Sequence, residues 1–326
     1  MHTLTRRVVL ALALVLMSSP CFGQDGYPKR SIRMIVPFAP GGTSDVLARI
    51  LAPKLSEVLG QQIVVENRAG ASGNIGTEAA VKAAPDGYTI YLGNIGTIAI
   101  NPAISGNLSV NPAKDLIAVT LVADVPNLLI TNPSVPANNV AELVSYAKAN
   151  PGMLNFASTG SGSLSRLEME QFRKVAAIDV VHIPYKGGAA PALTGMLSGE
   201  THAMFVTVSA ALSFIQAGRL KALAISSMKR IDALPQVPTM DEAGFSGMIS
   251  GSWQGIFVPV GTPRSIVQTL HEALLAALGS TEIRGRLVAA GVPVVTNRTP
   301  EDFASFVGAE VVRWGRVAKD AGATVD

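Results

Sequence analysis

Cysteine is almost missing from this chain: Cys21 is the only one in 326 residues. It falls in a segment that reads as a removable leader. Arg6 and Arg7 are followed by an unbroken apolar run from Val8 to Met17 and then by small residues up to Gly23, the layout of a secretory signal peptide over residues 1–23. The run is too short to span a bilayer, and Pro20 is a poor neighbour for lipid attachment at Cys21. A mature chain starting at Gln24 has no thiol, which excludes disulfides, thiolate metal sites and cysteine nucleophiles together. Charge is scarce too, at 15% of residues against roughly 25% in an average globular protein. Loss of Arg6 and Arg7 lowers the basic count from 26 to 24 against 23 acids, so the net charge falls from +3 to +1. No basic run remains that could neutralise a series of phosphates, which argues against a nucleic-acid partner. No second stretch approaches the ~20 apolar residues of a membrane span.

Enzyme signatures are lacking as well. No Lys-Ser/Thr pair follows Gly41-Gly42, so there is no Walker A loop, and Gly70 to Gly76 lacks the spacing of a dinucleotide fingerprint. Gly160-Ser161-Gly162 misses the serine-nucleophile elbow by spacing. His182, His202 and His271 form no short metal-binding pair, and nothing in the sequence places one of them beside a serine. The expectation is a protein with no metal, no cofactor and no catalytic residue. A secreted hydrolase using a loop serine is the enzymatic alternative.

What is present is a rhythm of strand, Gly-rich turn and helix. Ile32 to Val36 reads as a strand and is followed by a helix from about Ser44, whose Leu47, Ile50, Leu51, Leu55 and Val58 share one face, with Gly60 as its stop. Ile63 to Glu66 and Tyr88 to Leu92 read as strands around a helix over Gly73 to Ala84. The rhythm restarts with strands at Val119 to Val122, Leu128 to Ile130, Leu154 to Ala157, Val180 to Ile183, Ala203 to Val206 and Ala222 to Ile225. Asn139, with Glu142 three residues on, marks a helix start. Helices at about Ser265 to Leu278 and Pro300 to Asp320 close the chain, the second capped by Thr299. Alternating strands and helices predict α/β lobes with parallel, doubly wound sheets. The expected division is residues 24–123 with 228–326 in one lobe and 124–227 in the other, the Pro-rich run Leu234 to Pro238 serving as the crossing.

In open α/β sheets ligands sit beyond the carboxyl ends of strands. Three Gly/Ser/Thr-rich turns occupy such ends: Gly41 to Asp45, Gly93 to Thr97, and Ser158 to Ser163. The first runs straight into a helix, whose open N–H groups favour an anion. Thr43, Ser44, Thr97, Ser158, Thr159 and Ser163 supply hydroxyls. Each turn alone is equally an ordinary tight turn, and Asp45 equally a helix-capping acid. The stretch His182 to Gly188 adds an aromatic ring and a cation at a strand end, suited to a carboxylate.

Six strings in this order resemble one family: VPFAPGGTSD, ENRAGASGNIGTEAA, APDGYTI, HIPYKG, ALPQVPTMDEAGF and GTPRSIVQTL. The chain resembles the Bug family (TctC-like), the periplasmic receptors of tripartite tricarboxylate transporters. The resemblance implies a two-lobed, type II-like Venus-flytrap fold, the periplasmic-binding-protein architecture, with the ligand cleft between the lobes. It implies capture of a small organic anion in the periplasm, and docking as a monomer on membrane permease subunits or, alternatively, on a membrane sensor. By position it assigns Phe38, Gly42, Thr43, Ser44 and Asp45 to the first loop, Asn94 and Thr97 to the second, and Ser158, Thr159, Gly160 and Ser163 to the third, with Tyr185 and Lys186 nearby. Arg166 and His202 depart from the family pattern, and Arg166 is a candidate carboxylate clamp.

Overall fold

The computed structural model describes residues 26–105 and 108–320; the leader and Cys21 lie outside the described residues. The strands are β1 (Ile32–Val36), β2 (Ile63–Asn67), β3 (Thr89–Asn94), β4 (Leu116–Thr131), β5 (Asn155–Ser158), β6 (Val181–Pro184), β7 (Ala203–Thr207), β8 (Lys221–Ile225) and β9 (Gly251–Pro259). The longer helices are α1 (Thr43–Leu59), α2 (Asn74–Val81), α3 (Val140–Ala149), α4 (Leu164–Ala176), α5 (Ala189–Ser198), α6 (Val208–Gln216), α7 (Arg264–Gly279), α8 (Thr281–Ala289) and α9 (Pro300–Asp320).

The strands join in the order β2-β1-β3-β9-β4-β7-β5-β6, with β8 also on β4. Within each half the βα units pair in parallel, β1 with β2 and β3, and β5 with β6 and β7. The two halves meet at the antiparallel pair β4 and β9. β4 runs antiparallel to β9 from Leu116 to Pro126, then from Asn127 onward antiparallel to β7. The fold is thus α/β but mixed, which corrects the expectation of purely parallel sheets. The two short strands read at Val119 to Val122 and Leu128 to Ile130 are one 16-residue strand. Pro126, which punctuates that run in the sequence, sits where the pairing changes partners, so its missing donor is tolerated there.

The helices form where the apolar spacing places them. On α1, Leu47, Leu51 and Leu55 are 0–1% exposed, and each buried leucine contributes about 2 kcal/mol. Asn139 caps α3 by accepting from Glu142 N–H at 2.9 Å, and Thr299 caps α9 by accepting from Asp302 N–H at 3.2 Å. Phe303, Val307 and Trp314 of α9 pack with Ile35, Tyr91 and Trp253, which ties the C-terminal helix to the first half. The Pro-rich run does not carry the chain back across. Thr239 bridges Ile225, and Met240 and Met248 pack with Phe156 and Phe205 of the second half, because their apolar side chains fill that core. The return is β9, to which the sequence reading assigns no element. Among the described residues, no helix is long and apolar enough to cross a membrane, and no three His, Cys, Asp or Glu residues gather as metal ligands.

Candidate functional site

Four helix N-termini converge on one place. The residues that precede the first turns of α1, α4, α5 and α6 are Gly42, Ser163, Gly188 and Thr207. All four line two adjoining hollows that share Phe38, Asn94, Thr159, Thr207 and Ser252, with about 440 and 390 Å³ of open space. Among the described residues, the caps of α1, α5 and α6 offer no side-chain acceptor to the first turn, so its N–H groups are open to whatever occupies the cleft. The lining holds hydroxyls, amides, glycines and apolar groups, and not one charged side chain. An anion there is met by backbone donors and helix dipoles.

The cleft is closed over by direct contacts between its two sides. Thr43 Oγ1 lies in hydrogen-bond contact with Thr207 Oγ1 and 2.8 Å from Ser209 Oγ. Ala39 N–H donates to the Gly187 carbonyl and Ser72 N–H to the Lys186 carbonyl, both at 3.2 Å. Phe38 packs against Gly188, and Gly160 lies against Ser72. Ser44 Oγ donates to Gln254 Oε1 at 2.8 Å and so fixes the α1 end over β9.

Of the residues singled out in the sequence, Phe38, Gly42, Thr43, Ser44, Asn94, Thr159 and Ser163 line the cleft. The others stand behind it or away from it. The Asp45 carboxylate is turned back, accepting from Gly41 N–H at 2.9 Å and from Asn67 Nδ2 and Arg49 Nε at 3.0 Å. Burial pushes this carboxyl up, but the hydrogen bonds from Arg49, Gly41 and Asn67 outweigh it and hold it below its ordinary value. Thr97 braces Asn94: its N–H donates to Asn94 Oδ1 at 3.0 Å, and its Oγ1 accepts from Asn94 N–H at 3.2 Å. Tyr185 points at α5, where its hydroxyl occupies the space a side chain on Gly195 would need. Lys186 is exposed, and it contributes its backbone carbonyl to the cleft closure. Arg166 reaches back to the Ser161 carbonyl at 3.4 Å, helping to shape the third loop. His202 accepts from Asn155 N–H at 2.9 Å, joining two strands.

One expectation is corrected. A histidine does reach a loop serine, since His182 Nε2 lies 2.7 Å from Ser158 Oγ. No local signal marks this contact, because the two residues meet only through the β5–β6 pairing, where Ser158 lies beside Pro184. Ser158 is fully buried and its hydroxyl also donates to the Gly160 carbonyl at 3.1 Å, while His182 stacks on Phe156 with ring centroids 4.8 Å apart. A nucleophile needs access to its substrate. This pair holds the third loop in shape.

Several lining residues lie outside the three turns. Thr207 ends β7, where the strand-end rule points, and Ser72 sits in the Gly-rich string Gly70 to Gly76. Asn127, Ser252 and Gln254 lie inside strands, at the point where β4 and β9 pass between the halves, and no local signal marks them.

Comparison with known proteins gives a consistent picture. A model described as a tripartite tricarboxylate transporter family receptor matches residues 47–323. Protein BugT of Bordetella pertussis is 40% identical over 303 residues, 92% of this chain and 91% of its own length. The structure of R. palustris Rpa4515 with adipate superposes with a TM-score of 0.89 at 36% identity, covering 92% of this chain and 100% of that one. MatC from Rhodopseudomonas palustris with bound malate gives 0.84 at 34% identity, covering 89% and 99%.

Proposed function

Because this chain belongs to the tripartite tricarboxylate transporter receptor family, we propose that it is a periplasmic solute-binding protein that captures a small carboxylate and delivers it to a membrane transporter of that type. The observation that carries the reading is the convergence of four helix N-termini on a cleft without a charged side chain. Hydrogen bonds to a charged group contribute roughly 1.5–3 kcal/mol each. Four to six of them, less the cost of association, reach the ~8 kcal/mol of micromolar binding without a buried cation. The relatives solved with adipate and with malate support a carboxylate as the ligand class.

The lobes work as a clamp. In our reading β1 to β3 with β9 and the C-terminal helices form one lobe, β5 to β8 the other, and the β4 and β9 crossing is the hinge. Ligand docks on one lobe, and the Thr43–Thr207 and Ser72–Lys186 contacts form as the second closes. The chain performs no chemistry on its cargo, a reading supported by the burial of Ser158. It acts in the periplasm as a monomer, with the leader removed.

Isothermal titration of the mature protein with malate, adipate, lactate and benzoate, and with phosphate and glucose as controls, tests this. Saturable 1:1 binding of at least one carboxylate, unchanged on recovery, is expected. Binding of glucose or phosphate alone, or turnover of a bound acid, would refute it.

A further inference from the structure

One acidic side chain stands directly behind the cleft wall. Glu168, on α4, is 4% exposed, and its carboxylate accepts from Asn127 Nδ2 on β4 and from Ser250 Oγ just before β9. Asn127 is itself 2% exposed and lines the cleft. With its amino group committed to Glu168, its Oδ1 is buried and has no hydrogen-bond partner among the described residues. An ionised carboxylate only accepts, so it selects the NH2 end of the amide and turns the oxygen the other way. An unmet acceptor on a residue that lines a ligand chamber is available to a donor on the ligand, and a ligand without a donor leaves it unmet.

We propose that Glu168 is a positioning residue that holds the Asn127 amide with its oxygen toward the ligand, so that the protein prefers carboxylates bearing a donor, a hydroxyl or amide N–H, over the same acids without it. This rests on the carboxylate-receptor reading above and specifies its substrate class.

The surroundings make the arrangement sensitive to pH. Burial, opposed by hydrogen bonds from Ser250, Asn127 and Ser226, pushes Glu168 up to about 7, and no opposite charge is among the influences on it. From α9, Arg313 lines the hollow next to Glu168 but is paired with Glu310 at 3.3 Å. On α4 itself, Arg166 is turned to the Ser161 carbonyl. Once protonated, Glu168 has an O–H to donate, and it no longer imposes one orientation on the amide.

The test is calorimetric titration of wild type and Glu168→Gln with matched pairs, malate and succinate, 2-hydroxyadipate and adipate, lactate and propionate, at pH 6 and pH 8. Wild type should prefer the hydroxy acid of its best-bound pair by about tenfold at pH 8, the size of one hydrogen bond. That preference should shrink at least threefold at pH 6. In Glu168→Gln the ratio should be the same at both pH values, which also separates the ligands' own titration from the protein's. An equal ratio at both pH values in wild type, unchanged in the variant, overturns the inference and leaves the receptor reading standing. Failure of every acid to bind overturns both. Independently of the variant's folding, the Asn127 side-chain amide resonances of the unliganded wild type should move with a midpoint near that of Glu168. Resonances that stay fixed between pH 6 and 8 overturn the inference.

Discussion

Gly160 and Ser72 face each other across the closed cleft so closely that a Cβ on Gly160 would lie 2.3 Å from Ser72 Oγ. Gly160 also has φ +127°, a conformation side chains rarely adopt. Gly160→Ala should therefore lower stability by about 1–3 kcal/mol and weaken carboxylate binding at least tenfold. X-ray scattering should show the variant failing to compact when ligand is added. Adding Ser72→Gly removes the clash but not the strain, so it should restore part of the affinity and none of the stability. Full affinity in the single variant would mean that this contact is not part of closure.

The Thr43–Thr207 contact makes a cleaner prediction, because Thr207→Val keeps the shape and deletes the hydroxyl. We expect about tenfold weaker binding, the scale of one lost hydrogen bond. The melting temperature of the unliganded protein should change by no more than a degree or two. A loss of stability without a loss of affinity would show that the pair serves the fold and not the ligand.

Asp45 should tie stability to acid pH. Its folded pKa is held below the unfolded value near 3.9, so its contribution is present above that value and is lost as pH falls through the lower, folded one. Asp45→Asn should cost about 1–3 kcal/mol in urea unfolding at pH 7. The difference from wild type should narrow once the pH falls below the unfolded value near 3.9, where the unfolded chain begins to take up the proton that the folded carboxyl still resists.

Glu168 has the opposite sign. A folded pKa raised to about 7 means that its protonated form favours the fold, and that this contribution is lost as pH rises through that value. Glu168→Gln should be more stable than wild type at pH 8, by on the order of 3 kcal/mol, and close to it at pH 5. Thermal melts across this range check both ends, and a variant less stable at pH 8 would contradict the burial argument.

Some of this was legible along the chain. Local spacing placed α1, α3, α7 and α9 within a few residues, because a buried stripe at helical period and a capping side chain are short-range features. The loops after β1, β3 and β5 were findable because strand ends followed by Gly and Ser announce themselves, and their Phe38, Asn94, Thr159 and Ser163 do line the cleft. Gly255 shows the limit. In sequence it weakens the strand pattern of β9, yet the Phe303 ring, 2.2 Å from where its Cβ would be, occupies that space from 48 residues away. The composition and the six ordered strings determined the class of protein: an α/β chain, poor in charge, of a receptor family. Only the tertiary structure decided which groups line the cleft. It turned Asp45, Tyr185 and Lys186 away and brought Asn127, Ser252 and Gln254 in from two antiparallel strands. It also placed Glu168 behind Asn127, 41 residues apart. Facing is set by strand register and by competition among partners for each hydrogen bond, and neither is written in any local stretch of residues.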